Sequence, residues 1–281
     1  MQTESLLTRT KKILASYDLR ARKSLGQHFL VDGSVLRKIA AAAELTPEDT
    51  VVEVGPGLGV LTQLLAEHSG KVIAIELDNH LVEILKTHFH DSNKVLILNQ
   101  DVLKFNPADI VDEKTAYKLV ANLPYYITSA VIRYFLEMSN KPKLMVLMVQ
   151  KEVAQQITAK PGDMSLLSVS VQLYGTATIF SKVSARCFYP APAVDSAILK
   201  IEVYPQPKVQ THDIAGFFNL VRAGFSANRK QLVNSLSNGL NIPKTEIIPV
   251  LEQAGIEPRR RAESLTIDEW GTLYNVFSHR E

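Results

Sequence analysis

The sequence predicts an α/β protein in which a doubly wound, mostly parallel sheet is followed by a small helical domain. Short apolar runs, such as residues 51–54 and 71–75, alternate with helix-periodic segments between about residues 50 and 201. A glycine-rich turn connects the first of these runs to the next helix. After Tyr204-Pro205-Gln206-Pro207, apolar residues recur only at helical spacing. Such alternation indicates a sheet with helices on both faces.

The elements follow in order along the chain. We expect an exposed basic leader over residues 1–24, then a main α/β domain over residues 25–205 that begins with a helix at about 33–44. Strands of that domain are predicted at residues 51–54, 71–75, 95–98, 119–121, 144–149 and 194–203. Residues 206–281 should form a helical domain, since apolar side chains recur there at helical spacing, at Ile214, Phe217, Phe218, Val221, Phe225, Leu232, Leu236, Ile247, Val250 and Leu251.

The turn Gly55-Pro56-Gly57-Leu58-Gly59 joins the strand at 51–54 to a helix. Gly55 and Gly57 let the backbone approach a ligand closely, and the N-terminus of the helix adds N–H donors. Glu76 ends the next strand, where a carboxylate accepts both hydroxyls of a ribose. Asp101 follows the third strand, where it would accept from an adenine amine; a helix or turn cap is its alternative role. These positions predict nucleoside binding.

The spacing of the glycines distinguishes between two candidate cofactors, NAD and S-adenosylmethionine. Dehydrogenases that bind dinucleotides have the fingerprint G-x-G-x-x-G, whereas this turn is G-x-G-x-G and is preceded by Glu53. The spacing favours S-adenosylmethionine over NAD. A purely structural turn is the remaining alternative.

The tetrapeptide Asn122-Leu123-Pro124-Tyr125 follows an apolar run and is suited to hold an amine. The exocyclic amine of a nucleobase is a poor nucleophile because its lone pair is delocalised into the ring. The side-chain oxygen of Asn122 and the Leu123 carbonyl would accept its N–H groups and aim the lone pair outward. Pro124 would fix the turn, and Tyr125 would stack on the base. The alternative is a strand-to-helix turn with a capping Asn and a core Tyr.

A second aromatic candidate begins the segment Phe188-Tyr189-Pro190-Ala191-Pro192. The prolines predict an extended backbone with Phe188 at the end of a loop, where its ring would sandwich a flipped base opposite Tyr125. Enzymes that act on a base must take it out of its stack, and two aromatic faces offset part of that cost. Packing of Phe188 against the core is the alternative.

Composition narrows the class of protein. The chain has 281 residues, 46% of them hydrophobic, which is enough for one large domain and one small one. No window reaches the ~20 apolar residues of a membrane span, and the start has no signal-peptide core, so we expect a cytoplasmic protein. The single Cys187 excludes an internal disulfide and a cysteine-rich metal site, and we expect no metal.

Positive charge concentrates at the two ends of the chain. Residues 1–40 contain eight Lys and Arg against three Asp and Glu, 41–207 contain fourteen against eighteen, and 208–281 contain nine against eight. A single charged run is often a solvated surface, but two basic regions on either side of a nucleoside-binding sequence favour nucleic acid. The candidate RNA-binding residues are Arg22, Lys23, Arg222, Arg229, Lys230, Arg259, Arg260 and Arg261.

Together these motifs resemble the KsgA/RsmA family of small-subunit ribosomal RNA adenine dimethyltransferases, over nearly the whole chain. The matching positions are Lys23-Ser24-Leu25-Gly26-Gln27-His28-Phe29-Leu30, Glu53 to Gly59, Glu76, Asp101, Asn122 to Tyr126, Gln150-Lys151-Glu152 and Phe188 to Ala197. The resemblance implies a Rossmann-like class I S-adenosylmethionine-dependent methyltransferase with a C-terminal helical domain that contacts RNA. It implies that His28 and Leu30 close over the methionine end of the cofactor, with Gly55, Glu76, Asp101 and Asn122 as further binding positions.

The resemblance also implies the reaction. The substrate would be two adjacent adenines near the 3′ end of 16S ribosomal RNA, each dimethylated at N6 within an assembling 30S particle by a monomeric enzyme. Some relatives have Asn in place of His28 or of Tyr126, and the sequence leaves the role of Tyr126 open.

Three alternatives stay open at this point. A resistance methyltransferase acting on large-subunit RNA shares the fold and cofactor, but Leu25-Gly26-Gln27 and Val194-Asp195-Ser196-Ala197 look more like the small-subunit enzymes. An assembly or transcription factor that had lost catalysis would not need an intact Asn122-Leu123-Pro124-Tyr125. A DNA adenine methyltransferase would be expected to show a second Pro where Leu123 stands.

Overall fold

The computed structural model describes residues 4–19, 21–22, 26–111, 115–211, 213–227 and 229–279. In chain order, the helices and strands are α1 (Leu6–Ser16), β1 (Phe29–Leu30), α2 (Gly33–Ala43), β2 (Thr50–Val54), α3 (Val60–His68), β3 (Lys71–Glu76), α4 (Asn79–His88), β4 (Val95–Asn99), β5 (Tyr117–Asn122), α5 (Thr128–Glu137), β6 (Leu144–Gln150), α6 (Lys151–Ile157), α7 (Leu166–Gln172), β7 (Gly175–Val183), β8 (Phe188–Tyr189), β9 (Ser196–Val203), α8 (Ile214–Gly224), α9 (Leu232–Leu240), α10 (Lys244–Gln253) and α11 (Ile267–Ser278).

Seven strands form one sheet in the order β4-β3-β2-β5-β6-β9-β7. The pairs β2–β3, β3–β4, β2–β5 and β5–β6 are parallel, and β9 runs antiparallel to β6. The predicted mostly parallel sheet is confirmed. From β2 the chain proceeds to β3 and β4 on one side and then returns to β5 on the other, so the strand order reverses between β2 and β5. In open α/β sheets, ligands bind outside the carboxyl ends of the strands at such a reversal.

The central strands are apolar because both of their faces are covered. Val51 in β2, Val72 in β3 and Val120 in β5 have no exposed surface. Parallel strands with helices on both sides show this continuous apolar pattern. The outer strand β4 is only partly buried along its length. The core of the sheet therefore lies under β2, β3, β5 and β6, next to the reversal point.

A separate two-stranded sheet joins two distant segments of the chain. β1 pairs antiparallel with β8, and Leu30 lies opposite Phe188. Both side chains are buried and belong to one hydrophobic cluster. The pairing brings the segment that begins at Gly26 against the segment that begins at Phe188.

The basic leader is not simply exposed, contrary to the sequence-based expectation. It contains α1, in which Thr10 and Leu14 are buried. Leu14 packs in a cluster with Phe29 and Leu58. Leu6, Thr10 and Leu14 recur at a spacing of four, which places them on one side of a helix. Because basic residues lie between these three positions, the sequence pattern did not lead to the prediction of a partly buried helix.

Contacts divide the chain into two compact units. The first comprises the residues up to Ala154 together with Thr178–Val203, and the second comprises Gln155–Ala177 and the residues from Tyr204 onward. The predicted domain boundaries stay a prediction. The second unit also contains Gln155–Ala177, which those boundaries place in the main α/β domain. Gly162 N donates to the Glu263 carbonyl at 2.8 Å, which connects this segment to the C-terminal residues.

The second unit has its own hydrophobic core around Trp270, which is fully buried. Helices α8, α9, α10 and α11 surround that core, and the predicted helical C-terminal region is confirmed. Gly224 of α8 allows the close packing, because a Cβ at this position would lie 2.4 Å from Cη2 of Trp270. Phe217 of α8 meets Tyr274 of α11 edge to face.

Candidate active site

One cavity lies at the carboxyl ends of β2, β3, β4 and β5 in the first unit, with ≈ 1260 Å³ of empty space including its opening to solvent. The structure brings together every residue that the sequence assigns to the cofactor or to catalysis. These cavity-lining residues are His28, Leu30, Gly55, Gly57, Glu76, Asp101, Asn122, Leu123, Pro124, Tyr125 and Phe188.

The glycine turn has a backbone conformation that other residues rarely adopt. Gly55, Gly57 and Gly59 have φ angles of +68°, +60° and +80°. At Gly59, a Cβ would lie 2.9 Å from the Phe89 ring. Gly57 N donates to Oε2 of Glu76 at 3.2 Å, so the turn is joined directly to the end of β3.

The carboxylate of Glu76 is largely used by the backbone. Oε1 accepts from the N–H groups of Leu77 and Asp78, each at 2.9 Å, and Oε2 accepts from Gly57 N. A carboxylate has about four acceptor positions, so one position on Oε2 remains for a ligand hydroxyl. The sequence predicts that Glu76 accepts both ribose hydroxyls, whereas this arrangement leaves room for one without displacing a backbone donor. Burial raises the pKa of Glu76.

The surroundings of Asp101 are compatible with both roles considered from the sequence, a cap and a cavity residue. Its Oδ1 accepts from Leu103 N at 3.0 Å and caps a short 3-10 helix over Val102–Lys104. The residue also lines the cavity. A binding role for Asp101 stays a prediction.

Sequence reasoning did not include Glu53 among the site residues, although it directly precedes the glycine turn. Glu53 is buried in β2 and lines the cavity. Burial, together with a smaller contribution from the nearby charge of Glu76, raises the pKa of its carboxyl to about 8. Among the described residues, its Oε2 has no hydrogen-bond partner. The sequence signal that could have identified Glu53 as a site residue was its position directly before the glycine turn.

These features test whether the cavity suits S-adenosylmethionine, which combines a cationic centre, ribose hydroxyls and a purine. Glu53 offers an unpartnered acidic oxygen, and Glu76 offers one remaining acceptor position. Gly55 and Gly57 leave the backbone of the turn free of side chains. The apolar side chains of Leu77 and Leu103 line the same cavity. The residues present fit the cofactor.

Asn122 ends β5 with one side of its amide fixed. The amide nitrogen donates to the backbone carbonyl of His28 at 3.2 Å, which leaves the amide oxygen as an acceptor in the cavity wall. No described residue donates to the Leu123 carbonyl. The two acceptors of the predicted amine site are therefore adjacent in the chain and available. Pro124 continues the turn, and its own carbonyl accepts from Ile127 N at 3.2 Å.

His28 is fixed by two further contacts. Its Nδ1 lies 2.7 Å from the carbonyl oxygen of Pro190, and since a carbonyl only accepts, Nδ1 is the donor. Its ring stacks on Tyr125 with centroids 6.0 Å apart and planes 25° apart. The hydroxyl of Tyr125 shares a hydrogen bond of 2.8 Å with Ser196 Oγ. Burial raises the pKa of Tyr125, so this hydroxyl is neutral at physiological pH.

Phe188 does not lie at the end of a loop, as the prolines suggested. It lies in β8 opposite Leu30, and only 4% of its surface is exposed. The pairing with β1 explains the difference, because it draws the start of the segment into a strand. Phe188 still lines the cavity, and its stacking role stays a prediction.

The basic candidates have different surroundings. Arg222, Arg229, Lys230, Arg259 and Arg261 are exposed. Arg22 is exposed too, with Nη1 3.4 Å from Oδ2 of Asp78. Lys23 lies outside the described residues.

Arg260 differs from the other described basic candidates because it is partly buried. Its guanidinium forms an ion pair with Glu269 of α11 and also donates to Ser264. The pairing with Glu269 raises the pKa of Arg260. These contacts occupy four of the five guanidinium N–H donors, which leaves one for a phosphate.

Within the described part of the chain, no group of three or more His, Cys, Asp or Glu side chains is arranged to bind a metal ion. None of its helices is both long enough and apolar enough to span a membrane.

The sequence pattern of the family described as ribosomal RNA adenine dimethylase matches residues 18–279 of this chain. The chain belongs to the ribosomal RNA adenine dimethylase family. The resemblance to the KsgA/RsmA enzymes is confirmed. Ribosomal RNA small subunit methyltransferase A of Dehalococcoides mccartyi is 51% identical over 276 residues, which are 98% of this chain and 95% of that protein.

Two solved structures have the same fold. A dimethyladenosine transferase from Plasmodium falciparum aligns with a TM-score of 0.76 and 28% identity, over 90% of this chain and 98% of that one. The 23S rRNA methyltransferase ErmE aligns with a TM-score of 0.71 and 27% identity, over 89% of this chain and 99% of that one. The predicted class I methyltransferase fold with a C-terminal helical region is confirmed, and the protein is an rRNA methyltransferase of the S-adenosylmethionine-dependent class.

Proposed function

We propose that this dimethylase transfers methyl groups from S-adenosylmethionine to N6 of two adjacent adenines near the 3′ end of 16S ribosomal RNA. It acts as a monomer in the cytoplasm, on an assembling 30S particle. Support for the small subunit comes from the 51% identity with a small-subunit methyltransferase, against 27% with the 23S enzyme. The observation that carries the chemistry is the fixed amide of Asn122, whose oxygen is an acceptor in the cavity wall.

The cofactor supplies a methyl group that is already activated by a positively charged sulfur. Gly55, Gly57, Glu76 and Asp101 hold the nucleoside part, and His28 and Leu30 close over the methionine end. Glu53 lines the same cavity, and its buried Oε2 has no hydrogen-bond partner in the described chain. Because the methyl group needs no further activation, positioning dominates the acceleration that the protein provides.

Asn122 and Leu123 orient the adenine amine. The amide oxygen of Asn122 and the carbonyl of Leu123 accept the two N–H groups, which directs the nitrogen lone pair out of the plane of the base. The His28 carbonyl keeps the amide of Asn122 from rotating, since its nitrogen is already bonded there. The first transfer forms the N–CH3 bond, and the nitrogen loses one proton to solvent. It then keeps a single hydrogen, so one of the two acceptors has no N–H partner before the second transfer.

Tyr125 and Phe188 hold the base itself. The Tyr125 ring is positioned by the Ser196 hydroxyl at one end and by the His28 ring on one face. A base that leaves its stack gains about 1–3 kcal/mol from each aromatic partner. Phe188 is kept beside the cavity by the β1–β8 pairing.

Basic residues of both units contact the RNA phosphates. The exposed candidates are Arg22, Arg222, Arg229, Lys230, Arg259 and Arg261, and Lys23 belongs with them from the sequence. Phosphate contacts of this kind give affinity without reading the sequence. Arg260 contributes instead by fixing the start of α11 through Glu269.

The test supplies the protein and S-adenosylmethionine with four substrates: undermethylated small subunits, naked small-subunit RNA, large-subunit RNA and DNA. Each is digested and analysed for monomethyl- and dimethyladenosine by mass spectrometry. We expect dimethyladenosine in the small-subunit samples, at two adjacent positions near the 3′ end. Methyl transfer to large-subunit RNA alone would overturn the proposal.

A further inference from the structure

Tyr126 is the most exposed of the large hydrophobic side chains in the described residues. Its side chain is 62% exposed, yet it lines the active-site cavity. One edge of its ring rests against Gly26, where a Cβ would lie 3.4 Å from Cδ1 of the ring. The Tyr126 ring is therefore positioned at the mouth of the cavity with most of its surface open to solvent.

The backbone directs Tyr125 and Tyr126 to different places. Both belong to the 3-10 helix over Tyr125–Ile127. This helix has about three residues per turn, so consecutive side chains diverge by roughly 120°. Tyr125 is half-buried and bonded to Ser196, whereas no described residue forms a hydrogen bond with the Tyr126 hydroxyl. One aromatic ring lies inside the cavity and the next one along the chain lies at its opening.

A single exposed aromatic side chain is common on protein surfaces. The position of Tyr126 sets it apart, because any strand that delivers a flipped adenine to Tyr125 must pass the mouth of the cavity. Leu77 and Leu103 are also exposed and line the cavity, but they adjoin Glu76 and Asp101 at the cofactor positions. Tyr126 instead adjoins the residues assigned to the target base, and it alone of the three offers a flat ring.

We propose that Tyr126 is a stacking platform for the nucleotide next to the target adenine. The inference rests on the proposed function and adds a second base-binding position to it. Recognition of single-stranded RNA commonly uses splayed bases stacked on aromatic side chains. Stacking on Tyr126 keeps the neighbouring base from returning to the stack that the flipped adenine has left. It also fixes the direction of the strand at the cavity. It requires the ring of Tyr126 and not its hydroxyl.

The experiment compares wild type with Tyr126→Ala and Tyr126→Phe. Phe180→Ala is the matched control, since Phe180 is 46% exposed on β7 and does not line the cavity. The substrates are undermethylated small subunits reconstituted with RNA whose 3′ segment is synthetic. That segment either is intact or has an abasic site next to the target adenine, placed on each side in turn. Methyl transfer at the target is followed by mass spectrometry, and binding of S-adenosylhomocysteine checks that the cavity is intact.

With intact subunits we expect Tyr126→Ala to lower kcat/KM by roughly 5- to 150-fold, mainly through KM. Tyr126→Phe and Phe180→Ala should stay near wild type, and all variants should bind S-adenosylhomocysteine normally. With the abasic site on the stacked side, wild type and Tyr126→Ala should become equal. The stacking role alone would be overturned if Tyr126→Ala had the activity of wild type on intact subunits. It would also be overturned if the loss in Tyr126→Ala were the same with intact subunits and with the abasic site on either side. If wild type itself forms no dimethyladenosine on intact subunits, the proposed function fails and the stacking role fails with it.

Discussion

At the residue scale, one hydrogen bond determines what the side chain of Asn122 can do. Its amide nitrogen donates to the His28 carbonyl at 3.2 Å, which fixes the orientation of the amide and therefore of its acceptor oxygen. Asn122→Ala removes that acceptor and leaves the glycine turn and Glu76 in place. We expect kcat to fall by at least about 100-fold, a typical cost of losing one preorganised polar group. S-adenosylhomocysteine should still bind, with reduced affinity.

Single-turnover methyl transfer and calorimetric titration measure the two effects separately. Asn93→Ala is a suitable control, because Asn93 is an exposed residue that does not line the cavity. Turnover of Asn122→Ala at the wild-type rate would refute the role given to Asn122. A complete loss of S-adenosylhomocysteine binding would show that Asn122 acts through the cofactor instead.

Glu53 makes the stability of the protein depend on pH. Burial raises its folded-state pKa from 4.5 to about 8, so the folded protein retains a proton that the unfolded chain releases. The stability contributed by that retained proton is fully present below about pH 4.5 and is lost as the pH rises through about 8. Glu53→Gln keeps the shape of the protonated side chain but has no acid. We therefore expect Glu53→Gln to become progressively more stable than wild type between pH 5 and pH 9.

Urea denaturation of both proteins across this pH range gives the comparison. Glu48→Gln, at an exposed position, is the control for a general effect of removing one carboxyl. Parallel curves for wild type and Glu53→Gln would mean that the buried carboxyl is not protonated in the folded state.

The residues that line the cavity were predictable from the sequence because motifs at the carboxyl ends of parallel strands must meet at one edge of the sheet. Gly55, Glu76, Asp101 and Asn122 lie at or just after the ends of four such strands. The use of their polar atoms was not predictable. The three backbone donors to Glu76 depend on how the chain turns after β3. The buried state of Glu53 likewise depends on packing that no local pattern encodes.

At the element scale, α1 connects the basic N-terminal segment to the cavity wall. Leu14 packs with Phe29, Leu58 and Leu81, all three of which line the cavity. Lys11 Nζ lies 5.1 Å from the ring centroid of Tyr189 in β8, which adds a cation–π contact. Leu14→Ala should therefore cost about 2–5 kcal/mol of stability, as for other large-to-small changes in a core. It should also weaken binding of S-adenosylhomocysteine, because Phe29 and Leu58 lose support.

Leu7→Ala on the same helix is the matched control, since Leu7 is 37% exposed. Urea unfolding and calorimetric titration of the two variants separate stability from binding. If Leu14→Ala and Leu7→Ala behave alike in both measurements, α1 does not support the cavity.

The central strands were predicted close to their observed bounds, because strands covered on both faces are nearly continuous apolar runs. No such signal exists for β1 and β8, which have two residues each and pair across a long separation in the chain. β7 is exposed at alternate positions along most of its length, and no specific strand was predicted there. α1 was concealed for a related reason, since its buried stripe includes the polar Thr10. Elements that depend on a distant partner are the ones that local periodicity misses.

At the scale of the whole molecule, the basic clusters identified RNA as the partner but could not distinguish free cations from paired ones. Lys and Arg contribute equally to a count of charges, whereas a phosphate contact needs an exposed group with available donors. Arg259 and Arg260 are neighbours in the chain with different surroundings. Arg259 is exposed, and Arg260 is paired with Glu269 and Ser264. Only the three-dimensional partners separate their roles.

Arg259→Ala should weaken RNA binding at every sequence and reduce the slope of log K against log salt by about 0.7–0.9, with unchanged thermal stability. Arg260→Ala should instead cost about 1–3 kcal/mol of stability, because the carboxylate of Glu269 loses its charged partner at the start of α11. Fluorescence anisotropy with small-subunit RNA at several salt concentrations, together with urea unfolding, measures both quantities. Arg260→Gln tests whether donors without charge suffice to hold Glu269. A change in salt slope for Arg260→Ala that equals that of Arg259→Ala, with no loss of stability, would assign Arg260 to the phosphate contacts after all.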